Sequence, residues 1–330
     1  IHMSIQRRTL LAAAITGCLL SSFTFSVSAA QAKLDKIHFL IPGGAGGGWD
    51  GTARGTGEAL SKSGLVKETS FQNMSGGGGG KAIAHLIETA KNAEDTLMVN
   101  STPIIVRSIT KVFPQNFRDL TPVAGVIADY GALVVKNDSP LQDWAQALAL
   151  FKESPKKLKF AGGSARGSLD HLVAASIIKA EGLDPRTLKY IPYDAGGKAM
   201  AGLLSGEAKI LSTGLGEALA LAKGGQVRIL GVTAPERVGD APDVKTMTEM
   251  GNNTVFANWR GFFAAPGVSK EKVAMWNETL EAMYKTPEWE TVRGRNGWVN
   301  VYKSSDDFYK FLEQQEEQIG ALMKELGFLK

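Results

Sequence analysis

The residues of this sequence best suited to chemistry are glycines, gathered in three loops that could hold an anion. The loops cover 42–50, 73–81 and 161–168. Glycine has no Cβ atom, so the backbone N–H groups of such a loop can approach a ligand closely. Each loop follows a predicted strand and opens a predicted helix, where free N–H groups and the helix dipole favour negative charge. The pattern therefore predicts that main-chain amides of these loops bind a small anion.

A nucleotide-dependent enzyme is one alternative interpretation of the same glycines. Residues 46–51 fit the dinucleotide fingerprint, but the bulk of Trp49 and the charge of Asp50 would stand where the pyrophosphate must lie. The second loop lacks the first glycine and the hydroxyl residue of a P-loop, because Ser75 and Ala82 occupy those positions. No nucleotide or other cofactor is predicted.

A hydrolase or a metal site has little support in the sequence. Residues 162–166 lack the final glycine of a nucleophile elbow. The histidines after residue 32 are His38, His85 and His171, and they do not have the spacing of metal ligands. The sequence therefore predicts no catalytic residue and no bound metal.

The first loop is predicted to contact the ligand, with one of its residues left open. Main-chain amides would hold a carboxylate and Trp49 would form an apolar wall, although Trp49 could instead be a core or hinge residue. Asp50 could orient water or a ligand hydroxyl, but a helix cap paired with Arg54, four residues on, is the favoured interpretation. The predicted contacts in this loop are Ala45, Gly46, Gly47, Gly48, Trp49 and Asp50.

Further candidate residues follow the other predicted strands. For the pair that ends the third strand, ligand contact and helix capping are equally supported, and Ser168 could serve only as a cap. Asp194 would repel a carboxylate unless it meets a hydroxyl or an ammonium group, so its role is open. These candidates are Ser75, Gly76, Gly77, Ser101, Thr102, Ser164, Ala165, Arg166, Ser168, Tyr193 and Asp194.

The elements that must position these loops alternate between strands and helices, which is typical of an α/β fold with a mostly parallel sheet. The alternation restarts in the middle of the chain, so two α/β lobes joined by more than one crossover are predicted. The predicted strands are 36–41, 69–72, 96–100, 158–161, 188–192, 210–213 and 227–232, and the predicted helices are 49–62, 81–91, 169–181 and 198–204.

Length and composition agree with a globular protein of two lobes. The 330 residues are 44% hydrophobic and 21% charged, which excludes wholesale disorder and a polytopic membrane protein. The net charge is +4, and removal of Arg7 and Arg8 with a leader would lower it to +2. Such a small positive net charge gives no reason to expect nucleic acid as a partner.

The first 32 residues are predicted to be removed. Ile1 and His2 are interpreted as a cloning remnant, and the basic, apolar and small-residue regions that follow form a secretory signal peptide cleaved near Ala32. A membrane anchor is disfavoured because the apolar run is shorter than the ~20 residues a spanning helix needs. Whether Cys18 is lipidated stays open, and the predicted location is a bacterial periplasm.

Several motifs in order resemble the solute-binding receptors of tripartite tricarboxylate transporters, the TctC or Bug family. Residues 50–54 are similar to the Asp-x-x-Ala-Arg pattern of its first loop. Residues 160–172, 190–197 and 257–267 extend the resemblance over nearly the whole chain after the leader. Several spaced motifs are far more specific than any one run of glycines.

The resemblance implies a type II periplasmic-binding-protein fold, in which two α/β lobes close on a ligand cleft. On this basis lobe 1 is assigned to 33–134 and 259–330, and lobe 2 to 135–258. The family captures small carboxylates, held largely by loop backbone and water, and delivers them to membrane permease subunits. Arg166 departs from the small residue of the family's loop, and a guanidinium there could bind a further carboxylate.

The resulting expectation is a monomeric periplasmic receptor for a di- or tricarboxylate that is not an enzyme. Two alternatives stay open at this point. A carboxylate-sensing receptor for a membrane kinase would use the same fold and cleft, and an exported α/β enzyme would need a reactive constellation that the sequence does not offer.

Overall fold

One long strand runs through both halves of the structure. The computed structural model describes residues 34–330, in which β4 (Thr121–Lys136) pairs with β9 (Ala257–Ala264) as far as Tyr130. From Gly131 onward β4 pairs with other strands. The lobe bounds predicted at 134/135 and at 258/259 fall inside these two strands, and they stay a prediction. The leader, its cleavage point and Cys18 lie outside the described residues.

The first half is built on the N-terminal part of β4. Its other elements are β1 (Leu34–Ile41), α1 (Gly48–Lys62), β2 (Val66–Asn73), α2 (Gly80–Glu88), β3 (Thr96–Ser101), α3 (Thr102–Ile109), α8 (Lys270–Met283), α9 (Pro287–Asn296), β10 (Val299–Lys303) and α10 (Ser305–Glu325). The strand order is β2-β1-β3-β9-β4, with β10 also on β4. β1 is parallel to β2 and β3, so the loops after β1, β2 and β3 meet at one edge of the sheet.

The second half is built on the C-terminal part of β4. Its other elements are α4 (Trp144–Glu153), β5 (Phe160–Gly162), α5 (Leu169–Ala180), β6 (Tyr190–Pro192), α6 (Gly196–Leu204), β7 (Ile210–Gly214), α7 (Leu215–Lys223) and β8 (Val227–Val232). Here β5 is parallel to β6 and β7, whereas β4 runs antiparallel to β7 and β8. The loops after β5, β6 and β7 therefore also share one edge.

Each half has hydrophobic residues packed on both faces of its sheet. Phe39, Phe262 and Trp276 lie in one cluster of the first half, and Trp144 and Phe160 in one cluster of the second. Burial of these large side chains makes each half a rigid support for its loops. Within residues 34–330, no helix has both the length and the hydropathy needed to cross a membrane.

The predicted α/β fold of two lobes is confirmed, with one difference in the sheet. The sequence favoured a mostly parallel sheet, but the strands that join the two halves are antiparallel to their neighbours. A chain that returns from the second half to the first must run back along β4, and β9 does so. The link between the lobes is therefore made of paired strands.

Candidate functional site

A cleft between the two lobes encloses a cavity of about 310 Å³. Loops 42–49 and 75–79 form its wall on the first lobe, and residues 163–170 and 192–196 form its wall on the second. Side chains of β4 and β9 and the start of α7 lie between these walls. The loops stand beyond the carboxyl ends of parallel strands, where α/β sheets bind ligands, and the volume suits a small molecule.

Asp50 holds the first glycine loop through hydrogen bonds and does not line the cleft. Its carboxylate accepts the Gly46 backbone N–H at 3.1 Å, Arg54 Nε at 2.8 Å and Asn73 Nδ2 at 3.0 Å. Burial acts to raise the pKa of Asp50, but these hydrogen bonds outweigh burial and lower it. The pairing with Arg54 favoured by the sequence is confirmed, and the bond to Gly46 closes the loop onto α1.

Trp49 links the first loop to the end of β3. Its indole Nε1 donates to Ser101 Oγ at 2.8 Å, and both residues line the cleft. A Cβ atom on Gly43 would lie 3.1 Å from the indole ring, and one on Gly79 would lie 3.6 Å from it. The indole is therefore a wall of the cleft that also holds three chain segments together.

The second glycine loop has a backbone that only glycine adopts without strain. Its four consecutive residues 76–79 all have positive φ, from +60° to +138°. In this region a Cβ atom would clash with the backbone. The loop therefore brings bare main chain to the cleft, where Gly76, Gly78 and Gly79 form part of the lining.

Arg107 faces this loop and forms no ion pair within residues 34–330. It lies on α3, and its Nε would be 2.7 Å from a Cβ atom on Gly78. Among the described residues neither Arg107 Nε nor Ser75 Oγ has a hydrogen-bond partner, although both atoms are buried. Burial lowers the pKa of the Arg107 guanidinium, but an arginine remains charged in proteins. We call Arg107, Ser75 and loop 76–79 the Arg107 corner, which can accept an anion.

Another part of the cleft lining is acidic. Asp129 is buried and pairs with Arg260, whose Nη2 lies 3.0 Å from Asp129 Oδ2. Glu217 Oε2 accepts the Gly214 backbone N–H at 3.1 Å and the Thr213 hydroxyl at 3.0 Å. The acid floor, as we name it, consists of Asp129, Asp170, Glu217, Asn258 and Arg260, all of which line the cleft.

Burial weakens the acidity of this floor. Burial raises the pKa of Asp129 and of Glu217, and the charge of Arg260 opposes the rise in both. For Asp170, burial and the nearby charge of Glu217 raise the pKa to about 7. The floor therefore holds one carboxyl group, that of Asp170, that changes charge near neutral pH.

Three buried atoms of the acid floor have no hydrogen bond within the described chain. One of them, Asp129 Oδ2, is the ion-pair partner of Arg260, and the other two have no such contact. Asn258 Oδ1 and Arg260 Nε have no hydrogen bond, and their residues are 6% and 3% exposed. Asn258 lies directly opposite Asp129 in the pairing of β9 with β4. A buried polar atom without a partner is costly to a fold, so these atoms are available to a ligand.

The structure brings together most residues that the sequence singled out. The predicted residues that line the cleft are Gly47, Gly48, Trp49, Ser75, Gly76, Ser101, Ser164, Ala165, Ser168, Tyr193 and Asp194. The predicted residues that do not line it are Ala45, Gly46, Asp50, Gly77, Thr102 and Arg166. Contact of the first set with a ligand stays a prediction.

Arg166 requires a correction of its predicted position. The backbone N–H of Ser168 donates to the Ala165 carbonyl at 2.9 Å, so residues 165–168 form a tight turn with Arg166 at its exposed side. Its side chain lines a separate surface depression together with Lys156 and Lys189. Arg166 is therefore not among the residues that line the cleft, where the sequence had placed it to bind a further carboxylate.

Side chains of the third loop and of the turn after β6 have partners of their own. Ser164 Oγ accepts the Asp170 backbone N–H at 2.9 Å, whereas the Ser168 side chain makes no capping bond. Tyr193 donates its hydroxyl to Glu207 Oε2 at 2.5 Å, and Asp194 pairs with Lys198 at 3.4 Å. The pairing of Asp194 reduces the repulsion it would exert on a carboxylate.

Sequence reasoning missed Arg107 and most of the acid floor. Arg107 follows Pro103 by four residues, so both lie on one face of α3, and both line the cleft. Asp129 stands alone within the apolar strand 121–135, which was a signal that could have found it. In the sequence Arg260 falls within the resembling segment 257–267, and its ion pair with Asp129 joins β9 to β4.

His171 beside the cleft predicts that stability depends on pH. Its Nδ1 accepts the Gly167 backbone N–H at 2.9 Å, and its ring stacks on Tyr190 at 4.5 Å. Burial, with a smaller effect from the Arg166 charge, lowers the pKa of His171 to about 4. A lowered folded-state pKa gives stability that is fully present above about pH 6.5 and is lost as the pH falls toward 4.

The His171 effect is measured as a difference between two proteins. Urea unfolding at pH 7 and pH 4.5 should show a loss for the wild type that exceeds that of His171→Gln by up to about 3 kcal/mol. The comparison with the variant is needed because the raised pKa of Asp170 contributes the opposite slope. Equal losses in both proteins would contradict a buried, neutral imidazole.

Comparisons with known proteins agree with this geometry. A family model described as "Tripartite tricarboxylate transporter family receptor" matches residues 53–328. Protein BugT of Bordetella pertussis is 26% identical over 309 residues, which cover 91% of this chain and 92% of that protein.

Two solved structures from Rhodopseudomonas palustris share the fold. The structure of MatC with bound malate has a TM-score of 0.77 at 20% identity, covering 87% of this chain and 98% of that one. A second structure, with adipate, has a TM-score of 0.79 at 22% identity and covers 89% and 97%. At this level of identity the likeness establishes the architecture.

Proposed function

The chain belongs to the receptor family of tripartite tricarboxylate transporters, and from that premise we propose that it captures a small di- or tricarboxylate between its lobes. The captured acid would then be delivered to the permease subunits of such a transporter. The family consists of periplasmic solute-binding receptors, and similar structures hold malate and adipate. We further propose that the mature protein acts in the periplasm as a monomer and catalyses no reaction.

The Arg107 corner is the observation that carries the proposal. An arginine that is partly buried and forms no ion pair within residues 34–330 is costly to a fold unless a ligand supplies the missing anion. Loop 76–79 adds main-chain amides at the same place, and a guanidinium can bind a carboxylate through two parallel hydrogen bonds. One ligand carboxylate therefore belongs in this corner.

Glycines at the mouth of the cleft support closure around a ligand. A Cβ atom on Gly197 would lie 2.9 Å from the Ala45 carbonyl oxygen and 3.4 Å from the Gly46 Cα atom. The first loop of lobe 1 thus meets the start of α6 of lobe 2 through bare backbone. A ligand that gains bonds from both lobes only when they meet would favour this closed arrangement.

Calorimetric titration of the purified protein with a panel of mono-, di- and tricarboxylates tests the proposal. We expect at least one small acid to bind with a Kd in the micromolar range or tighter, at one site per chain. Native mass spectrometry of gently purified protein would reveal an acid retained from the host. The proposal fails if no organic acid binds across the panel and none is retained.

Gly197→Ala is expected to weaken binding of that acid about tenfold without lowering the free energy of unfolding. The added methyl would hold the first loop and α6 apart, so the bonds made on closure would be lost while each lobe stays packed. Gly51→Ala is the matched control, because a Cβ atom there has no neighbour within 4 Å. Unchanged affinity in Gly197→Ala would show that closure does not depend on this contact.

A further inference from the structure

The acid floor contains three carboxyl groups and only one arginine within residues 34–330. Arg260 pairs with Asp129 at 3.0 Å, while Asp170 and Glu217 form no ion pair within residues 34–330. Both carboxyl groups line the cleft. A ligand carboxylate placed beside them would bring a further like charge into a poorly hydrated space, which is unfavourable. The floor is therefore suited to a group other than a carboxylate.

Two acceptor atoms of the acid floor are suited to a hydrogen-bond donor of the ligand. Asn258 Oδ1 is buried without a partner, as described above. Glu217 uses Oε2 for its bonds to Thr213 and Gly214, while Oε1 lies beside Gly196, where a Cβ atom would be 1.8 Å away. Asn258 lies on β9, a strand that joins the two halves, whereas Glu217 lies on α7 of the second half. A donor held between them would connect α7 to the joining strands.

Two parts of the cleft lining thus differ in the charge that they can offer a ligand. The Arg107 corner offers a guanidinium without a partner and bare main-chain amides, whereas the floor offers carboxyl groups and an amide oxygen. A neutral hydroxyl could donate one hydrogen bond to the floor but would offset none of its charge. A protonated amine donates three hydrogen bonds and carries the missing positive charge.

We propose that the cleft selects a carboxylic acid that also carries a protonated amine, with its carboxylate in the Arg107 corner and its ammonium on the acid floor. The inference rests on the proposed capture of a small organic acid and narrows the class of ligand. Glu217 and Asn258 accept from the ammonium, and Asp170 contributes a second negative charge nearby.

Matched ligands that differ in one substituent test the selection. Succinate, malate and aspartate carry hydrogen, hydroxyl and ammonium on the same four-carbon chain, and adipate and 2-aminoadipate form a longer pair. We expect the ammonium member of at least one series to bind roughly 10- to 100-fold more tightly than its partners, as for a well-placed charged hydrogen bond. Equal or tighter binding of the ammonium-free acids would overturn the inference.

The proton balance of binding is an independent readout on the wild-type protein. Asp170 is surrounded by Glu217, Arg260 and Tyr190, with Asp129 behind Arg260, and its pKa is raised to about 7. An arriving ammonium favours the ionised carboxylates, so protons should be released at pH 7, whereas an arriving carboxylate should cause protons to be taken up. Titration in two buffers of different ionisation enthalpy gives the sign, and uptake with the amine-bearing ligand would contradict the inference.

Variants that remove one negative charge show which carboxyl groups cause the preference for an ammonium ligand. Asp170→Asn and Glu217→Gln keep the shape and most hydrogen bonds, and each should reduce the preference for the ammonium ligand about tenfold or more. Affinity for the ammonium-free partner should stay equal or rise. Glu236→Gln, at an exposed acid that does not line the cleft, is the control and should change neither value.

The outcomes separate this inference from the proposed function. Binding of simple dicarboxylates with proton uptake and no preference for amines would overturn the inference and leave carboxylate capture intact. Failure of every acid in both series, together with the wider panel, would remove both. Loss of all binding in Asp170→Asn or Glu217→Gln with normal thermal unfolding would also contradict the inference, since ammonium-free acids should still bind.

Discussion

Gly48→Ala is expected to lower the free energy of unfolding by about 3–5 kcal/mol, as for a broken buried ion pair. A Cβ atom on Gly48 would lie 2.1 Å from Arg260 Nη2 and 2.7 Å from its Cζ atom. The guanidinium cannot move aside freely, because it is 3% exposed and bound to Asp129 and to Thr52 Oγ1. The added methyl must either break the ion pair or displace the start of α1. Ligand affinity should then also fall, because Gly48 and Arg260 line the cleft.

Chemical unfolding monitored by circular dichroism measures this effect, and Gly51→Ala provides the matched control. Both glycines lie in α1, but a Cβ atom on Gly51 has no neighbour within 4 Å. Gly51→Ala should therefore be neutral or more stable by about 0.5–1 kcal/mol, because alanine favours a helix. If both variants unfold like the wild type, Arg260 is not held in place by its partners.

Arg107→Gln should separate binding from stability. We expect the Kd for the captured acid to rise roughly 30- to 150-fold, which corresponds to losing a charged hydrogen bond worth about 2–3 kcal/mol. The fold should be as stable as the wild type or more so, because removal of an unpaired, partly buried charge relieves a desolvation cost. A residue that only supports the structure would show the opposite pattern.

Two further variants define the role of Arg107. Arg107→Lys keeps the charge but loses the planar fork, so its Kd should lie between those of the wild type and Arg107→Gln. Arg166→Gln removes an exposed guanidinium outside the cleft and should leave the Kd unchanged. If Arg166→Gln costs as much as Arg107→Gln, the anion is held at a different place.

The sequence predicted the α/β fold because the relevant signals are local. Alternating strand and helix patterns located β1 and α1, and glycines marked where strands end. The joining strands were missed for a physical reason. β4 is buried along almost its whole length, so its sequence is a continuous apolar run without the alternation that marks a strand with one exposed face.

For the site, glycines could be predicted and charged partners could not. Gly47, Gly48 and Gly76 line the cleft as expected, because the need for bare backbone is visible in composition. The acid floor joins Asp129, Asp170 and Glu217 from three distant parts of the chain, so only tertiary pairing shows that they meet. Arg166 was attractive because it interrupts a glycine loop, but a turn decides where its side chain points.

The positive φ angles of residues 76–79 bear on how such a receptor could acquire new substrates. Anion recognition there depends on the path of the main chain, so few amino acid replacements could retune it without strain. The floor consists of side chains on regular strands and helices, so a replacement there does not force a positive φ angle on the main chain. Changes of specificity, whether by natural divergence or by protein engineering, should therefore accumulate at the floor while the grip on the shared acidic group persists.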